Sequence, residues 1–119
     1  IELVGTVKNL TTEYQKADVF VLPSRFEGYG MVLSEALAHG LPIISTDAGA
    51  IPEVVPKSAG ILVSPGDHLA LAAAMQKIIV DRDLRKKMQL NAQTIAHDLP
   101  SWKNCAEFVI KGLEEISKP

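Results

Sequence analysis

The chain has 119 residues, of which 47% are hydrophobic and 5% aromatic, and its net charge is −2. This length fits one domain with a single core, and many aliphatic but few aromatic side chains favour helices packed on a buried parallel sheet. The charge argues against a nucleic-acid-binding protein, which carries a basic patch, and no apolar stretch approaches the roughly 20 residues of a membrane span.

Short hydrophobic runs bounded by glycine or proline predict about four strands. They cover residues 1–5, 18–22, 42–45 and 60–63. Residues 1–4 contain neither the basic region nor the cleavage site of a signal peptide, so we do not expect them to be one. A chain that opens inside a strand is expected to be part of a longer protein.

The segments between and after these runs predict helices. The helices cover approximately residues 10–17, 30–39, 51–55, 67–80, 81–97 and 100–117. Asp67 is expected to cap the fourth helix, either Asp81 or Asp83 the fifth, and either Pro100 or Ser101 opens the last. Alternating strands and helices indicate an α/β fold with a parallel sheet.

The loop after the second predicted strand holds two carboxylates and two glycines. Glu27 and Glu35 bracket a turn that contains Gly28 and Gly30. Glycines allow a ligand to approach the backbone closely, and the amides at the start of the next helix favour an anion such as a phosphate. A carboxylate inside that helix only accepts hydrogen bonds, which suits ribose hydroxyls. This combination favours a nucleotide-sugar site.

Helical spacing separates this helix into two faces. Met31, Glu35 and His39 share one face, while Leu33 and Leu37 share another. We expect the leucines to pack on the sheet and Glu35 to face the loop. The plainer alternative is that both glutamates are solvated acids beside a tight turn.

Other polar or reactive residues favour structural roles. His39 is either a cation favoured by the helix dipole or a ligand contact, and Glu53 is either a first-turn acid or a group facing the loop. The single cysteine, Cys105, is expected in the core and fits a reducing compartment. Trp102 is expected to anchor the last helix, and the basic run 82–87 to form a solvated helix face. The histidines and cysteine lack metal-ligand spacing, so no protein-held metal is predicted.

Several short segments are weak signals singly, but their order and spacing together are specific for one protein family. They are residues 17–24, 27–36, 40–44, 52–55, 60–63 and 101–102. In this order they resemble the C-terminal, donor-binding domain of retaining GT-B glycosyltransferases, the glycosyl transferases group 1 family, whose two glutamates are separated by seven residues. The resemblance implies a Rossmann-like sheet flanked by helices. Residues 1–119 would then form one partial nucleotide-sugar-binding domain.

The resemblance also implies a role for each matching residue. Glu27 matches the glutamate beside the transferred sugar and is expected to orient that sugar rather than attack it. Glu35 matches the glutamate that binds ribose hydroxyls. The remaining matches are the loop that touches sugar and phosphate, Gly28, Tyr29 and Gly30, and the first helical turn whose amides meet the diphosphate, Met31, Val32 and Leu33. Tyr29 replaces the usual phenylalanine, and Ala50 replaces a frequent second glycine.

The implied reaction moves a sugar from a donor such as a UDP- or GDP-sugar to an acceptor hydroxyl with retention of configuration. It needs no further cofactor, and the implied location is cytoplasmic, with attachment to the membrane surface left open. The acceptor, a sugar or a lipid-linked glycan, would bind an N-terminal domain that the chain lacks. Two alternatives remain: a non-catalytic module that binds a nucleotide or phosphosugar, and a structural or assembly fragment.

The family's domain also has parts that find no match here. Two strand–helix units and an Arg–Lys pair that grips the diphosphate are missing, and neither Lys8 nor Arg25 lies at the matching place. We therefore expect the isolated chain to be inactive. The first predicted strand would pair with residues 19–22, borrow strands from a second copy, or stay frayed. Because an unpaired apolar edge invites association, self-association is expected.

Overall fold

Six helices and three strands make up the part of the chain described by this computed structural model, residues 1–99 and 101–117 without the side chain of residue 102. The predicted alternation of strands and helices is confirmed. The elements are α1 (Thr11–Lys16), β1 (Phe20–Leu22), α2 (Met31–Ala38), β2 (Ile43–Thr46), α3 (Ile51–Val54), β3 (Gly60–Val63), α4 (His68–Val80), α5 (Arg82–Asp98) and α6 (Trp102–Ile116).

The three strands form one parallel sheet in the order β1-β2-β3. Val21 pairs with Ile44, and Ile44 pairs with Ile61. The predicted class, a parallel sheet flanked by helices, is therefore confirmed. Because parallel strands point the same way, their carboxyl ends share one edge of the sheet, where ligands of such folds bind.

The prediction of a strand over residues 1–5 is wrong. This segment has no regular structure, and Ile1, Leu3 and Val4 are exposed. The described sheet ends at β1, so pairing of the segment with residues 19–22 does not occur. Without a neighbouring strand its backbone gains no ladder hydrogen bonds, and apolar sequence alone does not hold it extended on the sheet.

Side-chain caps set the starts of the long helices. The carboxylate of Asp67 accepts a hydrogen bond from the amide of Ala70 at 2.9 Å, as predicted for α4. Asp81, rather than Asp83, caps α5. Ser101 opens α6 with a reciprocal capping box, whereas Pro100, the alternative start, lies outside the described residues.

Helices cover both faces of the sheet and bury two clusters. On one face, Leu33 and Leu37 of α2 pack with Ile43 of β2. On the other face, Ile44 of β2 packs with Ile78 of α4. Neighbouring residues of a strand point to opposite faces, so β2 contributes to both clusters. The result is a sheet that fixes α2 firmly beside the carboxyl end of β1.

Helix α6 exposes an apolar surface. Its side chains at Phe108, Leu113 and Ile116 are exposed. Cys105 is exposed as well, so the prediction of a core cysteine is wrong. The physical reason is that no other described element packs extensively on α6. The predicted anchoring role of Trp102 concerns a side chain outside the described residues.

The isolated chain is expected to self-associate at high concentration, because residues 1–4 and α6 leave apolar side chains in water. Light scattering should give an apparent mass above that of one chain. Replacing both Leu113 and Ile116 with glutamine should lower this mass, while Lys111→Gln in the same helix should not. A monomeric mass for the unmodified chain at high concentration would contradict the expectation.

Candidate functional site

The bend between β1 and α2 depends on a glycine in a left-handed conformation. Gly30, the residue before α2, has φ 68° and ψ 46°. A Cβ atom there would lie 2.8 Å from Cδ1 of Leu33 and 3.2 Å from Cγ of Glu27. Both the backbone angle and the lack of space therefore require glycine. The close approach places Glu27 beside the start of α2, as the loop pattern predicts.

Two backbone amides at the start of α2 are open. The carbonyl oxygen of Gly30 accepts hydrogen bonds from the amides of Leu33, at 2.8 Å, and Ser34, at 3.4 Å. Within residues 1–99 and 101–117, the amides of Met31 and Val32 have no acceptor. These two residues are 57% and 36% exposed. The positive end of the helix is therefore accessible to an anion through two of its three predicted amides.

The side chain of Leu33 serves packing. It is fully buried between α2 and the sheet. Gly28 and Tyr29, by contrast, are exposed at the outside of the bend. Among the residues predicted for the loop and the first helical turn, Gly30 and Leu33 are thus buried. The accessible ones are Gly28, Tyr29, Met31 and Val32.

A neighbouring loop holds the backbone of Glu27 in place. The amide of Ala50 donates a hydrogen bond to the carbonyl oxygen of Glu27 at 3.0 Å. Gly49 has φ 56°, and a Cβ atom there would overlap that carbonyl oxygen. Ala50 has φ −83°, an ordinary value, so its departure from the family's second glycine creates no strain. Glu27 itself is half-buried.

Buried hydroxyl groups fix the ends of the strands that lead into the site. The hydroxyl of Ser45 donates to the carbonyl oxygen of Leu22 at 2.6 Å, and the hydroxyl of Thr46 donates to that of Ser24. Both hydroxyl-bearing residues are buried. Their pairing satisfies the polar groups where β1 ends and the loop begins. The sequence analysis assigned Ser45 only to a strand and gave Thr46 no role.

The predicted division of α2 into two faces is confirmed. Leu33 and Leu37 are fully buried, while Met31, Glu35 and His39 are exposed. The open amides and the carboxylate of Glu35 therefore follow one another along the exposed side of a single helix.

Glu35 has a partner that the sequence analysis missed. The hydroxyl of Tyr14 donates a hydrogen bond to Oε2 of Glu35 at 3.2 Å. The ring of Tyr14 is stacked on His39, with centroids 4.9 Å apart and planes inclined by 19°. Burial first, and then the hydrogen bond to Glu35 and its charge, raise the pKa of Tyr14. The phenol therefore stays protonated and can donate at neutral pH.

A cavity of about 460 Å³ opens beside this pair. Glu35, Ala38 and His39 form one wall, Tyr14 lies against it, and residues 7–11 form the other side. Lys8 is among these lining residues, although it does not lie at the position of the family's Arg–Lys pair. The volume lies within the range of small-molecule sites.

The described residues contain no group of three or more His, Cys, Asp or Glu side chains that could hold a metal ion. None of the described helices is both long enough and apolar enough to cross a membrane.

Comparison with known proteins finds one family and many relatives. The sequence model described as glycosyl transferases group 1 matches residues 1–81. A sulfoquinovosyl transferase of Arabidopsis thaliana is 36% identical over 88 residues, which cover 69% of this chain and 17% of that protein. A D-inositol 3-phosphate glycosyltransferase of Corynebacterium jeikeium is 36% identical over 116 residues, which cover 97% of this chain and 26% of that protein. The chain thus spans about a quarter of these relatives or less.

Two solved structures are similar to this chain, and one of them carries the same family description. A sucrose-phosphate synthase from Thermosynechococcus elongatus aligns with a TM-score of 0.81 at 32% identity, over 90% of this chain and 27% of that one. The C-terminal domain of a glycosyl transferase group 1 family protein from Francisella tularensis aligns with a TM-score of 0.71 at 29% identity, over 82% of this chain and 51% of that one. Both likenesses extend over most of the sheet and helices described above.

Proposed function

Since the chain belongs to the glycosyl transferases group 1 family, we propose that it forms the donor-binding part of a retaining glycosyltransferase. The reaction would move a sugar from a nucleoside-diphosphate sugar, such as a UDP- or GDP-sugar, to an acceptor hydroxyl. One observation carries the proposal: open amides, the carboxylate of Glu35 and a cavity follow one another along the exposed side of α2.

The diphosphate is proposed to bind at the start of α2. The amides of Met31 and Val32 are open there, and the helix dipole adds positive potential. Negative charge builds on the departing phosphate as the bond to the sugar breaks. Amides already pointing at that charge stabilise it, and loss of a single such donor in other enzymes costs about 3–4 kcal/mol.

The nucleoside is proposed to extend from this point along α2. Glu35 would accept hydrogen bonds from the ribose hydroxyls, and the base would enter the cavity between His39 and residues 7–11. From Met31 to His39 the helix rises by about 12 Å. That length suits an extended diphosphate and nucleoside lying along one helix.

Glu27 and the bend are proposed to hold the transferred sugar. Gly28, Tyr29 and Gly30 would present backbone groups to the sugar and its phosphate. The hydrogen bond from Ala50 fixes the backbone of Glu27, so the side chain of Glu27 starts from a defined point beside the bend where the sugar is proposed to lie. Orientation, and not covalent attack, is the proposed role.

The acceptor is proposed to bind outside this chain. The chain spans about a quarter or less of its curated relatives, so the rest of such a protein would supply the surface for a sugar or lipid-linked glycan. We expect the chain alone to bind the donor and to transfer no sugar.

Calorimetry with UDP and GDP tests the proposal. We expect one of these nucleotides to bind, and Glu35→Ala to weaken binding roughly tenfold to a hundredfold, the effect of losing hydrogen bonds to a charged group. Glu114→Ala, an exposed acid in α6, should leave the affinity unchanged. Absence of heat at millimolar nucleotide would overturn the proposal and favour a structural fragment.

A further inference from the structure

The environment of Tyr14 suggests more than a packing role. Only 7% of this residue is exposed, and its ring packs in the same core cluster as Leu33 and Leu37. The ring is fixed from two sides, by the stacked His39 and by Phe20, whose centroid lies 5.9 Å away. A ring held in this way places its hydroxyl at a defined point on the wall of the cavity.

Glu35, in contrast, is an exposed side chain on a helix. A free glutamate of this kind samples many rotamers, and fixing them costs entropy when a ligand binds. Within the described part of the chain, the hydroxyl of Tyr14 is the single hydrogen-bond donor to its carboxylate, and no cation lies within ion-pair distance. The orientation of this carboxylate therefore depends on one hydrogen bond.

We propose that Tyr14 is a positioning residue that holds the carboxylate of Glu35 ready for the ribose hydroxyls of the donor. The inference rests on the proposed function and adds a residue to its site. A carboxylate has about four acceptor positions, and Tyr14 uses one of them on Oε2. Both oxygens thus keep a free position, and a ribose diol needs one from each.

The arrangement also predicts selectivity between nucleotides. A diol that meets an oriented carboxylate gains two charge-assisted hydrogen bonds. A nucleotide that lacks both ribose hydroxyls gains none of them and is indifferent to how Glu35 is held. Tyr14 would therefore raise the affinity for ribonucleotides alone, whereas a tyrosine that only packs the core would affect every ligand equally.

Tyr14→Phe separates the two roles, because it keeps the ring and removes the hydroxyl. By calorimetry we expect the affinity for the ribonucleoside diphosphate to fall about three- to tenfold. The affinity for its 2′,3′-dideoxy analogue should not change. In a Glu35→Gln background, adding Tyr14→Phe should have little further effect, since the two residues act as a unit.

A second measurement needs no nucleotide. Alkaline absorbance titration of a Tyr29→Phe variant follows the ionisation of Tyr14 alone, since the chain has two tyrosines. Burial raises the pKa of Tyr14 most, and the hydrogen bond to Glu35 and the charge of Glu35 raise it further. Glu35→Gln should therefore lower that pKa toward the value that burial alone gives. An unchanged value would overturn the inference.

The outcomes distinguish this inference from the proposed function. If the unmodified chain binds neither UDP nor GDP, the proposed function fails and the Tyr14–Glu35 bond is only a structural contact. If it binds a nucleotide and Tyr14→Phe binds the ribonucleotide equally well, the proposed function stands and the positioning role is wrong. An equal loss for the dideoxy analogue would mean that the hydroxyl of Tyr14 does not act through the ribose hydroxyls, and the positioning role would be wrong.

Discussion

Replacing Gly49 with alanine is expected to displace the loop that carries Glu27 and to weaken nucleotide binding. The added Cβ atom would overlap the carbonyl oxygen of Glu27, which accepts the hydrogen bond from Ala50. The backbone of Gly49 is also left-handed, at φ 56°, where a side chain costs about 1–2 kcal/mol. With the lost hydrogen bond, the free energy of unfolding should fall by about 3 kcal/mol.

Gly66→Ala is the matched control for this change. Gly66 has φ 84°, yet no heavy atom lies within 4 Å of an added Cβ atom. Gly66→Ala introduces the same backbone strain without the collision. Its free energy of unfolding should therefore fall by only about 1–2 kcal/mol, and its nucleotide affinity should be unchanged. Denaturant unfolding and calorimetry measure both effects. If Gly49→Ala and Gly66→Ala lower the free energy of unfolding and the nucleotide affinity equally, the close approach of the loops after β1 and β2 contributes to neither stability nor binding.

The elements that the sequence predicted well depend on local signals. Asp67 is followed three residues later by the amide it caps, and Leu33 and Leu37 lie one helical turn apart on α2. These spacings act within one element, so the structure that they predict does not depend on contacts with the rest of the chain. The family resemblance adds the order of the elements, and with it the bend that places Glu27 beside α2.

What the sequence did not predict depends on partners distant along the chain. The apolar run at residues 1–5 has strand composition, but the sheet offers it no neighbour. Cys105 has core composition, but α6 has no extensive packing partner among the described elements. In both cases composition favoured burial, and tertiary structure decides whether a surface exists to bury against.

The Tyr14–Glu35 hydrogen bond shows the same limit inside the site. Its partners are 21 residues apart in the sequence, and neither this spacing nor the residue types predict the contact. It arises because Tyr14 of α1 packs in the same core cluster as Leu33 and Leu37 of α2, which brings a buried phenol to an exposed carboxylate. Polar contacts of this kind follow from the fold, which explains why the site residues on one helix were predicted and their support was not.

Replacing Leu37 with alanine tests how firmly the fold holds α2. Leu37 is fully buried, with 0% exposure, while Leu90 on α5 is 62% exposed. Removing a buried leucine side chain leaves a cavity and costs about 2–5 kcal/mol, a large share of the roughly 5–15 kcal/mol that stabilises a domain. Leu90→Ala makes the same chemical change and should cost less than about 0.5 kcal/mol.

The comparison also separates stability from binding. Leu37 lies on the buried face of α2, whereas Met31 and Glu35 are exposed. It reaches the proposed site only indirectly, through the core cluster that it shares with Tyr14. Leu37→Ala should therefore lower the midpoint of denaturant unfolding strongly, while the folded fraction at low temperature should lose no more nucleotide affinity than Tyr14→Phe does, about three- to tenfold. Equal unfolding midpoints for Leu37→Ala and Leu90→Ala would contradict the placement of α2 against the sheet, on which the proposed roles of Met31, Val32 and Glu35 depend.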